Sequence, residues 1–113
     1  MYKKEDVCNV RNTTYELTEM DRRIYEEAGW VLYQVNKHSV EYVRNFGTVC
    51  GRTVVCVRQD GTVEAERYFL SIEEEWDYED VEVPEEMKEL AKLKYEEMVR
   101  LYPNGENWAE YNL

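Results

Sequence analysis

Arg52-Thr53-Val54-Val55-Cys56-Val57-Arg58, Gln59-Asp60-Gly61 and Thr62-Val63-Glu64-Ala65-Glu66-Arg67-Tyr68-Phe69-Leu70 follow one another without a break. Two runs dense in strand formers flank a Gly-containing turn, which is the signature of a β-hairpin. The side chains argue the register. A two-residue loop sets Val57 opposite Glu64 and Val55 opposite Glu66. A three-residue loop with Gly61 in the left-handed region pairs Val57 with Val63 and Val55 with Ala65 instead. The second keeps apolar partners on one face and is the predicted register.

Upstream of the hairpin, Thr18 followed by Asp21 resembles an N-cap signal, and a charged helix fits 19–28, ending at Gly29. Met20, Ile24 and Ala28 share one face of it. Trp30 to Val35 is then rich in strand formers. A rival reading exists, because Met20, Ile24, Ala28, Val31, Val35, Tyr42 and Phe46 also keep helical spacing and fit one long helix. Ala28-Gly29-Trp30 is a good stop, so helix then strand is preferred. Asn36 to Ser39 reads as a turn, and Val40 to Phe46 as a second strand or a helix capped by Ser39. Residues 1–17 read as a short strand or loop.

Downstream, Pro84 to Tyr102 is the clearest helix. Pro suits the first helical position, Glu85 and Glu86 suit the positive N-terminal end, and Arg100 lies in the last turn. Met87, Leu90, Ala91, Met98, Leu101 and Tyr102 form its apolar face. Lys94 falls in the middle of that face, where it must snorkel or meet a carboxylate. Pro103-Asn104-Gly105 ends the helix, and Trp108 and Tyr111 are expected to fold the tail back. The expected fold is α+β: one domain over 1–113, with an antiparallel sheet of three or four strands around the 52–70 hairpin. That sheet packs on a C-terminal helix over about 84–102, with a short helix near 19–28.

The 113 residues hold 43% hydrophobic side chains and ten tyrosines, enough for a folded core and not the composition of a disordered acidic tail. Charge is placed unevenly. Residues 1–70 carry a net −1, and residues 71–113 carry −10 of the total −11. Nine of the fourteen residues from Glu73 to Glu86 are acidic and none is Lys or Arg, yet Trp76 and Tyr78 sit among them. Such a one-sided field attracts basic surfaces and repels nucleic acid and anionic membranes. Direct DNA or RNA binding is therefore not expected.

Two conformations fit the acidic stretch. As an extended segment it forms an exposed ladder of Glu73, Glu75, Asp77 and Glu79, with Trp76 and Tyr78 turned to the core. As a short helix it is capped by Ser71 with Glu74, and Ile72 packs on Trp76. Both expose most carboxylates.

Other chemistry is weakly signalled. The lone His38 lies in a turn with no nucleophile or acid in a recognisable setting. The spacing of Cys50 and Cys56 fits no common zinc site, and Cys56 reads as a buried small hydrophobe within its strand. A Cys50–Cys56 bridge remains open. Three cysteines, with Cys8 the third, and no N-terminal signal point to reduced thiols in a cytoplasm. Calcium at Asp77, Glu79 and Asp80 lacks the Gly-containing loop of an EF-hand. No catalytic motif, cofactor or metal site is expected, and the protein is not expected to be an enzyme.

A short, acidic, Tyr-rich domain with reduced cysteines resembles the small inhibitors made by phages and mobile elements, anti-CRISPR proteins among them. The resemblance rests on composition. It implies a viral inhibitor whose carboxylates occupy a basic, nucleic-acid-binding surface of a partner protein. Glu73, Glu74, Glu75, Asp77, Glu79, Asp80 and Glu82 would then supply charge, and Trp76 and Tyr78 would anchor. The alternatives are an aromatic-anchored adaptor with no nucleic-acid mimicry and a plain solvated acidic surface.

Overall fold

The computed structural model describes residues 17–45, 51–70, 73, 75–104 and 108. The chain runs α1 (Glu19–Ala28), β1 (Val31–Val35), β2 (Ser39–Asn45), β3 (Gly51–Arg58), β4 (Val63–Leu70), β5 (Trp76–Val81) and α2 (Glu85–Leu101). The fold is α+β. Its sheet has five strands in the order β1-β2-β3-β4-β5, one more than the three or four expected. Every neighbouring pair is antiparallel. The additional strand is β5, cut from the acidic stretch.

The β3–β4 hairpin has the predicted register, with Val57 opposite Val63 and Val55 opposite Ala65. Its turn is closed by Arg58 N–H donating to the Thr62 carbonyl at 2.9 Å and by Gly61 N–H donating to Arg58 at 3.0 Å. Gly61 has φ +93°, and a Cβ there would lie 3.5 Å from the Tyr95 ring of α2. Gly61→Ala strains the turn more than it crowds the ring. We expect it to lower stability by about 1 kcal/mol in urea unfolding, with an unchanged m-value. Asp60 braces the same turn by accepting from the Thr62 N–H at 2.9 Å and from the Thr62 hydroxyl. Those two bonds hold the Asp60 carboxyl below its usual range.

Helix α1 begins with the reciprocal cap that Thr18 and Asp21 foreshadow. Thr18 Oγ1 accepts from Asp21 N–H at 3.2 Å, and Asp21 Oδ2 accepts from Thr18 N–H at 2.9 Å. The helix stops at Gly29, with φ +76° and its N–H bonded to the Tyr25 carbonyl at 2.9 Å. One continuous helix is thereby ruled out, and Ser39–Asn45 pairs as a strand.

Leu32, Val40, Tyr42, Val55, Val57 and Ala65 line one face of the sheet and are buried against Ile24 of α1 and Met87, Leu90, Ala91 and Met98 of α2. A bulge between Leu32 and Gln34 lets both Leu32 and Val35 reach that side, although strict alternation would separate them. In α2 the predicted apolar face is right except at Leu101, which is 45% exposed. Tyr102, where the helix unwinds, packs on the core in its place.

Lys94 meets carboxylates, and does so fully buried. Its Nζ lies 3.0 Å from Asp21 Oδ1 and 2.9 Å from Glu97 Oε1, and donates to Thr18 Oγ1 at 3.2 Å. The Tyr42 hydroxyl donates to Asp21 at 2.5 Å, and Met20 N–H to Glu97 at 3.4 Å. This polar knot joins α1, α2 and β2. Trp108 is also buried, and its backbone N–H donates to the Lys37 carbonyl at 3.0 Å, so the tail folds back there. Tyr111 and residues 1–16 lie outside the described residues. Among the described residues no helix is long and apolar enough to cross a membrane.

Candidate functional site

The helices contact β1 and β3 and each other. Helices pack about 8–10 Å apart, roughly two strand spacings of about 4.8 Å. A pair seated over β1 and β3 therefore leaves β5 overhanging by about two strands. That overhang corrects the expected place of the aromatics. β5 is extended and alternates as anticipated, which excludes a helix for these residues, but it reaches the core at Val81 and its Trp76–Asp80 stretch is exposed. Trp76 and Tyr78 turn to the face opposite the helices and are 59% and 58% exposed. Asp77 and Glu79 share the helix side with Val81, and Asp80 shares the open side with the aromatics.

Of the other predicted residues, Glu73 is exposed in a turn, Glu75 is exposed just before β5, and Glu82 is exposed just after it. Glu74 lies outside the described residues. The acids thus do not form one flat ladder. The pleat divides them between two faces, and the exposed edge of β5 borders both. Partial internal pairing exists: Arg67 reaches Glu79 at 3.9 Å and Arg44 reaches Glu86 at 2.7 Å. The Asp80 and Glu82 side chains make no hydrogen bond or close ion pair among the described residues, although the Glu82 charge acts on Lys88.

Two further acids join the site through the hairpin register. Glu66 pairs directly with Asp80 across β4–β5, a like-charge pair that costs stability where nothing offsets it. Glu64, held at 2.7 Å by Arg58, lies one row along. Their place was readable, since the register that buries Val63 and Ala65 sends Glu64 and Glu66 to the other face. Past the Ala65–Val81 pair the ladder stops, leaving a groove of 370 Å³. Its apolar wall is Val63, Ala65, Val81 and Val83, and its carboxylates are Glu64, Asp80 and Glu82. An apolar wall with acids at its mouth suits a lysine or arginine, which carries a charged head on an aliphatic stem.

The aromatics are the end of a longer row. The Arg52 guanidinium lies 5.5 Å from the Tyr33 ring centroid and 5.9 Å from that of Tyr68, and Tyr68 lies 5.8 Å from Tyr78. The Tyr68 phenol donates to Glu66 at 3.3 Å, and burial, reinforced by the Glu66 charge, pushes its pKa up. Nothing in the spacing of Tyr33, Arg52 and Tyr68 signals this row, because it depends on β1, β3 and β4 coming together in one sheet, with β2 between the first two.

The remaining candidates are placed as follows. His38 is exposed, with Nδ1 2.5 Å from Gln59 Oε1. Cys56 is free, so the Cys50–Cys56 bridge is not formed; Cys50 and Cys8 lie outside the described residues. Cys56 is only half-buried because it occupies the open face, and burial raises its thiol pKa despite the nearby Arg58. Asp77 and Glu79 point away from Asp80, and among the described residues no group of His, Cys, Asp or Glu is arranged to hold a metal. The chain matches no protein-family model, no curated protein and no solved structure.

Proposed function

We propose that this protein is a small binding protein that docks the β5 edge onto an arginine- and lysine-rich surface of a partner protein. Covering that surface inhibits the partner's contact with nucleic acid. One observation carries the reading: Trp76 and Tyr78 stand exposed on the same strand as Asp77, Glu79 and Asp80. Carboxylates and aromatic faces are the two side-chain groups that take a guanidinium, by paired hydrogen bonds and by cation–π attraction. The same face already holds Arg52 between Tyr33 and Tyr68.

Charge spacing argues against literal imitation of a duplex. Alternate residues of a strand stand about 6.6 Å apart on one side, whereas duplex DNA carries a charge per roughly 1.7 Å of axis. The acidic rows are too sparse to supply affinity by counterion release alone. The aromatics add the rest, as Trp and Tyr do at interface hot spots. The resemblance to phage inhibitors adds no residue to this site.

The experiment is capture from a cell lysate on immobilised protein at low and high salt, with the eluted proteins identified by mass spectrometry. We expect a basic, nucleic-acid-handling protein, released by salt and competed by added DNA. A neutral or acidic partner held through high salt and lost in Trp76→Ala/Tyr78→Ala overturns the reading. The exposure of those two rings favours an aromatic-anchored adaptor as the second one.

A further inference from the structure

The phase of the hairpin determines which backbone groups of β5 point outward. Arg58 N–H donates to the Thr62 carbonyl, so the even-numbered residues of β4 turn their backbone groups toward β3 and the odd-numbered ones toward β5. Arg67 faces Glu79 and Phe69 faces Asp77. The odd-numbered residues of β5 therefore complete that ladder, and Trp76, Tyr78 and Asp80 present N–H and C=O on the side away from β4. β5 is the last strand of the described sheet. The Tyr78 N–H is met at 2.8 Å by the carboxylate of its neighbour Asp77. A side chain there does locally what a sheet neighbour does elsewhere.

An edge of this kind is a template for another strand, and its charge decides which one. A second copy is disfavoured. Two-fold antiparallel pairing centred on Tyr78 would set each Asp77 opposite a Glu79 of the other copy, two like-charge pairs on one face of the ribbon. A strand with Lys or Arg at alternate positions turns both of those contacts attractive. At the end of the edge lies the groove lined by Glu64, Asp80 and Glu82, placed to receive the next basic side chain.

We propose that β5 binds its partner by strand addition: an extended basic segment pairs with the outward backbone groups of Trp76, Tyr78 and Asp80. It sets cationic side chains against Asp77 and Glu79 and sends one into the groove beside Val81. This inference rests on the basic-partner reading above and specifies how the contact is made.

The test uses a capped peptide of alternating lysine and valine, and a twin N-methylated at the alternate amides that would face β5. The wild-type protein should bind the first, with at least tenfold slower amide exchange at Trp76, Tyr78 and Asp80 by NMR. The N-methylated twin should bind at least tenfold more weakly. Tyr78→Pro, which removes an outward N–H and leaves the β4 ladder whole, should lose tenfold more affinity for the first peptide than Tyr78→Ala. Equal binding of the two peptides, or binding with no protection of those amides, overturns strand addition while leaving salt-released capture of a basic protein intact. Failure of the first peptide to bind at low salt also overturns it. The wider reading fails separately, on the charge and salt response of the captured partner.

Discussion

Lys94→Met is expected to lower the unfolding free energy by about 3–5 kcal/mol, the usual cost of breaking a buried ion pair from one side. In a protein of this size that corresponds to a fall in Tm on the order of 10–20 °C. The cause is what remains behind. Asp21 and Glu97 are 2% and 7% exposed, and two buried carboxylates would lose the ammonium they share. Packing contributes little, because Met has nearly the length and volume of the Lys stem. The companion variant separates the two causes. Asp21→Asn/Lys94→Met/Glu97→Leu removes the charges together while keeping an amide oxygen to accept from the Thr18 N–H and an amide NH2 that can donate to the Tyr42 hydroxyl, and should recover more than half of the loss. Urea and thermal unfolding of both variants decide it; a triple variant no more stable than Lys94→Met would trace the loss to packing.

The second large effect is on binding. Asp77→Lys/Asp80→Lys/Glu82→Lys should weaken the captured partner's affinity by on the order of 1,000-fold, because close charge pairs at interfaces couple by about 1.5 kcal/mol or more each. The fold should survive. All three side chains are exposed, the β4–β5 ladder is made by backbone, and Asp80→Lys converts the like-charge pair with Glu66 into an attractive one. That exchange should raise stability by about 0.5 kcal/mol. The variant therefore separates binding from folding, with opposite signs for the two. Titration calorimetry for affinity and thermal unfolding for stability measure them, and an unchanged affinity would exclude β5 as the docking edge.

The hairpin register, the Thr18–Asp21 cap, the stop at Gly29 and the span of α2 were all legible in the chain. Each depends on residues within a few positions of one another. A turn glycine, a capping hydroxyl or an alternation of valine with charge acts locally, so its consequence can be read locally. The partnership of Lys94 was half legible: an ammonium on an apolar face demands an anion, although the α2 pattern does not say that Asp21 supplies it from another helix. Glu97 carried no signal, being one more acid in a helix full of them.

The chain alone thus announces α1, α2 and the β3–β4 hairpin with its pairing around Gln59-Asp60-Gly61, and a negative charge concentrated in its last two-fifths, while it leaves β2 and β5 open between strand and helix. Which way Trp76 and Tyr78 point was decided by tertiary structure alone. Alternation separates them from Asp77 and Glu79 equally well whichever face is buried. The choice is made by two helices too narrow to cover five strands, which seat over β1 and β3 and leave the acidic strand hanging past the core.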